Sequence, residues 1–174
     1  MNRVFLSIGS NIHREHNLPA SVRLLREKVP VIAVSSVYES TPIGSATQPN
    51  FFNAAVLIET DLSPEEIKDQ LITDIEKTLK RERQEDKNAP RTIDIDIALF
   101  NDEILDYIPA DGKPRHLPDP DLLLMTHSIV PIAELAPNQT HPEMNEPLEA
   151  IATRLLESSG KARVWLREDI DLSL

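Results

Sequence analysis

Arg91-Thr92-Ile93-Asp94-Ile95-Asp96-Ile97 is the stretch on which the reading of this chain turns. Side chains alternate across a strand, so Ile93, Ile95 and Ile97 face a core while Thr92, Asp94 and Asp96 share the opposite face. Carboxylates at i and i+2 on one face lie roughly 7 Å apart at the backbone, close enough to converge on a pair of divalent cations. Oxygen-only ligation suits Mg²⁺, which takes one or two carboxylates together with substrate phosphates. The plainer alternative is a solvated strand face. Aspartate is a poor strand former, however, and two like charges on one face repel. A strand that carries both features points to a compensating ligand.

The flanking residues strengthen that reading. Arg81 and Arg83 close the preceding helix, and Arg91 opens the strand. If the polar loop from Gln84 to Pro90 folds back, these cations come near the aspartates, an arrangement that polyphosphate binding requires. Positive charge at a helix C-terminus is the competing explanation. Glu76, one turn earlier, either orients an arginine, contacts a sugar hydroxyl or pairs with Lys80 at i+4.

Ser63-Pro64-Glu65-Glu66 gives that helix a clear start: an N-cap serine, a first-turn proline and a glutamate that completes a capping box. Ile67, Leu71, Ile75 and Leu79 form its apolar stripe. Upstream, Val4 to Ile8 reads as a strand ending in Gly9-Ser10-Asn11. Leu18, Val22, Leu25 and Val29 have helical spacing, stopped by Pro30. Val31 to Tyr38 and Asn53 to Thr60 read as strands, and Thr92 to Phe100 as another. The order β-α-β-β-α-β predicts an α+β, ferredoxin-like core with two helices on one face of an antiparallel sheet. Beyond Phe100 the chain is irregular and proline-rich, with short helices expected over Ile129 to Leu135 and Leu148 to Leu156. The last dozen residues carry no signal.

The 174 residues fit one compact domain spanning 1–174. With no cysteine, disulfides, thiolate nucleophiles and cysteine-ligated metals are excluded. The five histidines show no zinc spacing. No Walker-type loop occurs, and four glycines are too few for a dinucleotide fingerprint. A net charge of −11 argues against nucleic acid as the main partner. No apolar run is long enough for a membrane span or a signal-peptide core, so a cytoplasmic location is expected, and no obligate protein partner is evident. Phe51-Phe52-Asn53 reads most simply as core, with stacking of one ring on a flat heterocycle as the functional alternative.

Taken together, several stretches make the sequence resemble the 6-hydroxymethyl-7,8-dihydropterin pyrophosphokinase family. They are Ile8-Gly9-Ser10-Asn11, Ser35 to Pro42, Gln48 to Ala55, Ile75-Glu76, Pro90 to Ile97 and Pro131 to Pro137. The Pro90 to Asp96 run is the most specific. The resemblance implies an αβα fold on the ferredoxin-like core and pyrophosphate transfer from ATP to the pterin in folate biosynthesis, with AMP as by-product. It implies two Mg²⁺ on Asp94 and Asp96, and charge stabilisation by Arg81 and Arg91. It puts Glu76, Arg83 and Ile97 on the ATP side. It implies pterin stacking on Phe51, with Asn53 and the backbone of Thr41, Pro42 and Ile43 reading the ring's edge. The loop from Gln84 to Pro90 would be a lid.

The chain also departs from the family pattern. Asn88-Ala89-Pro90-Arg91 lacks the lid tryptophan and its glycine. Asp119 follows Pro118 where a histidine is usual. Met125, Thr126 and His127 replace an arginine, a small residue and a phenylalanine, which makes His127 the second stacking ring. Arg115, with Lys113 and His116, is offered as a substitute triphosphate contact. A paralogue acting on a related pterin or another donor, and a non-catalytic binding module, are the alternative readings.

Overall fold

The computed structural model describes residues 1–158 and 163–173. Its main sheet is built from β1 (Asn2–Ser10), β2 (Val31–Val34), β3 (Val37–Ser40), β4 (Phe51–Thr60), β5 (Asp94–Phe100) and β8 (Val164–Arg167). The strand order is β5-β1-β4-β3-β8, with β2 also on β4, and every pairing is antiparallel. Counting β2 and β3 as one interrupted strand gives the ferredoxin-like order.

That interruption corrects the single strand expected from Val31 to Tyr38. The Ser35 hydroxyl accepts the Ala55 N–H at 2.8 Å, taking a ladder position that backbone would otherwise fill. A side chain that competes with the backbone in this way breaks the strand.

Helix α1 (Arg14–Lys28) lies on one face of the sheet. On the same face α2 (Pro64–Glu66), a π-helical turn (Ile67–Ile72) and α3 (Thr73–Thr78) run as one helix. Its start is the capping box: Ser63 Oγ accepts from Glu66 N, and Glu66 Oε2 accepts from Ser63 N. Leu18, Val22, Leu25, Ile67, Leu71 and Ile75 pack there on Leu6, Ile8, Ile93, Ile95 and Ile97. The opposite face carries α4 (Thr126–Leu135) and α5 (Leu148–Ser158), whose Ile129, Ile132 and Ile151 cover Phe5, Leu57 and Leu99. The layers are therefore αβα.

Two elements fall outside the sequence reading. A hairpin of β6 (Leu105–Tyr107) and β7 (Arg115–Leu117) replaces the irregular stretch after β5. At the other end, β8 extends the sheet beyond β3. No helix among the described residues is long and apolar enough to cross a membrane.

Candidate active site

Strand register builds the floor of the site. Asp94 pairs with Gly9, and Gly9 with Asn53; Asp96 pairs with Ser7, and Ser7 with Ala55. Asp94, Asp96, Gly9, Ser7, Asn53 and Phe51 therefore share one face, and small residues keep its middle open. A Cβ at Gly9 would stand 3.4 Å from Asn53 Oδ1 and 3.8 Å from the Phe51 ring. Phe52, one residue on, is fully buried in the core of the other face. One phenylalanine is thus core and the other lines the cleft, a division that alternation alone makes.

The cleft above this floor measures about 260 Å³. Thr41, Ile43, Phe51 and Asn53 line one side, Asp94, Asp96 and Arg91 the base, and Asp119, Asp121, Met125 and His127 the other. Asn53 Nδ2 donates to the Tyr38 carbonyl at 3.1 Å and to Ser40 Oγ at 2.8 Å, which leaves Oδ1 as the acceptor for a ligand. Burial lowers the pKa of His127 and so favours the neutral ring.

Cations reach the aspartates over the sheet edge. Arg91 Nη1 donates to Asp94 Oδ2 at 3.0 Å, and its guanidinium is anchored on the carbonyls of Lys87 and Ala89. Arg81 Nη1 lies 3.5 Å from Asp94 Oδ1 and donates to the Ile93 carbonyl at 2.7 Å. Arg81 is aimed by its helix terminus. Lys80 adopts a left-handed conformation (φ 58°), Lys80 N bonds Lys77 O, and Arg81 N bonds Glu76 O. This is a Schellman stop, and it ends the helix at Thr78, before the charged run rather than after it.

Glu76 is buried. Its Oε1 accepts the Ile95 N–H at 3.3 Å and its Oε2 accepts from Arg83 at 2.9 Å. It is thus tied to the edge strand, not to Lys80. Arg83 stays 57% exposed. The Ile97 side chain is in the core, so only its backbone is left for a ligand. Pro42 is half-buried beside the cleft-lining Thr41 and Ile43. Arg115 forms a two-point pair with Asp111, at 2.8 and 3.1 Å, and does not line the cleft. His116 is held between Asp106 and Glu143.

Asn11 is not among the site residues expected from the sequence, yet it joins three segments. Its Nδ2 donates to Gln48 Oε1 and the Pro49 carbonyl, and its Oδ1 accepts the Arg91 N–H at 2.8 Å. Gln48 in turn donates to the Asn88 carbonyl at 2.6 Å. The 84–90 loop is thereby drawn to the cleft rim, where Lys87 and Asn88 line it.

Desolvation within the cleft raises the pKa of Asp96, helped by the negative charge of Asp94, while Lys68 opposes the shift. Burial likewise raises Asp119 to about 6, against the hydrogen bond from the Asp121 N–H. Among the described residues no cluster of three or more His, Cys, Asp or Glu could hold a metal by itself. Two oxygen donors on one face still fit a hard divalent ion that completes its shell with phosphate and water. Buried Arg81 Nε and Thr92 Oγ1, on residues flanking this pair, have no hydrogen-bond partner among the described residues. Such orphans are uncommon unless a ligand or water satisfies them.

The family model described as 7,8-dihydro-6-hydroxymethylpterin-pyrophosphokinase (HPPK) matches residues 5–137. The chain belongs to this family. It is 35% identical over 167 residues to the 2-amino-4-hydroxy-6-hydroxymethyldihydropteridine pyrophosphokinase of Bacillus subtilis (strain 168), covering 94% of this chain and 90% of that protein. It is 33% identical over 150 residues to the enzyme of the same name from Aquifex aeolicus (strain VF5), covering 86% and 89%. Among solved structures, a Plasmodium falciparum HPPK-DHPS triple mutant with SDX-DHP superposes with a TM-score of 0.74 at 15% identity. That likeness establishes the fold. It covers 90% of this chain but 44% of the longer protein, so the chain spans less than half of it.

Proposed function

We propose that this HPPK-family chain transfers the pyrophosphoryl group of ATP to 6-hydroxymethyl-7,8-dihydropterin, yielding the pterin diphosphate and AMP for folate biosynthesis. The observation that carries the proposal is the shared cleft: the Phe51–Asn53 wall and the Asp94–Asp96 base open into one volume. A flat ring against Phe51, read by Asn53 Oδ1, would set its hydroxymethyl arm over the carboxylates.

Asp94 and Asp96 would hold two Mg²⁺. Bound there, the ions would supply positive charge that offsets the negative charge of the triphosphate. The pterin hydroxyl attacks the β-phosphorus of ATP, the bond from that phosphorus to the α-phosphate oxygen breaks, and AMP leaves. Arg91 and Arg81 flank the Asp94 end and would stabilise charge on the transferring group. Asn11 and Gln48 hold the 84–90 loop at the rim, where closure would exclude water. The protein's part is positioning and electrostatics.

The test is to incubate the protein with ATP, Mg²⁺ and the hydroxymethylpterin and to measure AMP and pterin diphosphate. Both should form in equal amounts and depend on Mg²⁺. Pterin binding without AMP would refute this reading. The presence of Asp119 and Met125 in the cleft supports a second one, a different phosphate donor, which a nucleotide panel in the same assay would reveal.

A further inference from the structure

The helical row Lys68-Ile72-Glu76 runs beside the Ile67-Leu71-Ile75 stripe and faces the open edge of β5. Lys68 is the anomaly in that row. It is buried, within a π-helical turn whose Ile67, Leu71 and Ile72 are buried as well. An apolar residue would satisfy the packing, and burying an ammonium group is costly unless it is paired. Among the described residues its Nζ has two partners: the Ile95 carbonyl oxygen at 3.5 Å and Asp96 Oδ1 at 3.8 Å. The Lys68 side chain is 7% exposed, whereas Asp96 is 44% exposed toward the cleft. The ammonium therefore meets Asp96 from behind the sheet edge, and a ligand meets it from the front. π-Helical turns, which widen a helix locally, are frequent at functional sites.

We infer that Lys68 is the resident counter-cation of Asp96, competing with divalent metal for this carboxylate until a polyphosphate arrives. The inference rests on the metal-carboxylate reading proposed above. A fixed positive charge against a ligand carboxylate weakens cation binding and favours anions at the same place. With Lys68 present, the nucleotide-free protein binds metal weakly; the negative charge of the triphosphate then offsets the ammonium, so metal and nucleotide enter together. Lys68 acts through Asp96 and is a positioning residue. Covering the edge carbonyl of Ile95 is its structural role, and that role alone predicts no gain in metal affinity when the charge is removed.

The test is Mn²⁺ binding to nucleotide-free protein, followed by the electron paramagnetic resonance of free Mn²⁺. Lys68→Leu and Lys68→Met should each bind Mn²⁺ roughly tenfold tighter than the parent, while Lys68→Arg should stay close to it. Thermal unfolding identifies which apolar variant is folded. Unchanged or weaker Mn²⁺ binding in a folded apolar variant would overturn the inference. Asp96→Asn in the parent and in Lys68→Leu separates the two levels. If this change leaves Mn²⁺ binding intact, the metal reading itself is wrong. If it abolishes binding while Lys68→Leu gives no tightening, only the role of Lys68 is wrong.

Discussion

Two pairs of aspartates line the same cleft at the same i, i+2 spacing, and they do different things. Asp94 and Asp96 stand on a strand, where this spacing puts both side chains on one face, and Arg91, Arg81 and Lys68 approach them. Asp119 and Asp121 stand at the start of a 3-10 turn, Pro120–Leu123. There Asp119 Oδ1 accepts the Asp121 N–H at 2.9 Å, and among the described residues no arginine or lysine side chain pairs with either. Spacing is thus ambiguous until the backbone is known: the strand makes a ligand-ready pair, the turn makes a cap.

The comparison breaks most sharply at Asp96. On the metal-carboxylate reading proposed above, Asp96→Asn should lower kcat roughly a thousandfold, because it removes an oxygen that would hold the divalent ion, while Asp121→Asn changes it little. Comparable losses in steady-state kinetics would erase the distinction between the pairs. Arg91→Ala sharpens it next. Losing the donor to Asp94 and the anchor on the 84–90 loop should cost about a hundredfold in kcat/KM, and an intact rate would mean that Arg91 only fastens the loop.

The smallest effect concerns Asp119 and appears in stability. Burial raises its pKa in the folded chain to about 6, against an ordinary value of 3.8. The fold therefore holds this proton more tightly than the unfolded chain does. Its stabilising contribution is full below about pH 4 and lost as pH rises through about 6. Asp119→Asn, which keeps a capping oxygen, should flatten that part of a plot of thermal midpoint against pH. An unaltered slope between pH 4 and 6 would place the titration elsewhere.

Much of this was legible in the chain because local rules agreed with tertiary ones. Alternation over 93–97 assigns the faces of β5 correctly, and the capping box starts its helix where Ser63 stands. The illegible parts are those where a second partner decides. Nothing near Ser35 announces that its hydroxyl displaces a ladder bond. The place of Glu76 stays open between an arginine, a sugar hydroxyl and Lys80 because the stripe at 67, 71 and 75 accounts for only one apolar row. The buried Ile72, four residues from both Lys68 and Glu76, is the signal for the second row. β8 is set by pairing with a strand more than a hundred residues away. Arg115 reads as a spare cation because its hairpin pair with Asp111 is invisible until β6 and β7 are known. The roles of Phe51, Asn53 and His127 come from family likeness; register and cleft lining supply their place.

The charged cover on β5 has a consequence for association between copies of the chain. An outermost strand ordinarily invites another molecule to continue its sheet. Here Arg81 occupies the Ile93 carbonyl, Lys68 the Ile95 carbonyl and Glu76 the Ile95 amide. A neighbouring strand would have to strip three ionic side chains from their seats before it could dock. The groups that tune the carboxylates thus also act as a guard against strand-to-strand polymerisation on the side where the cleft opens.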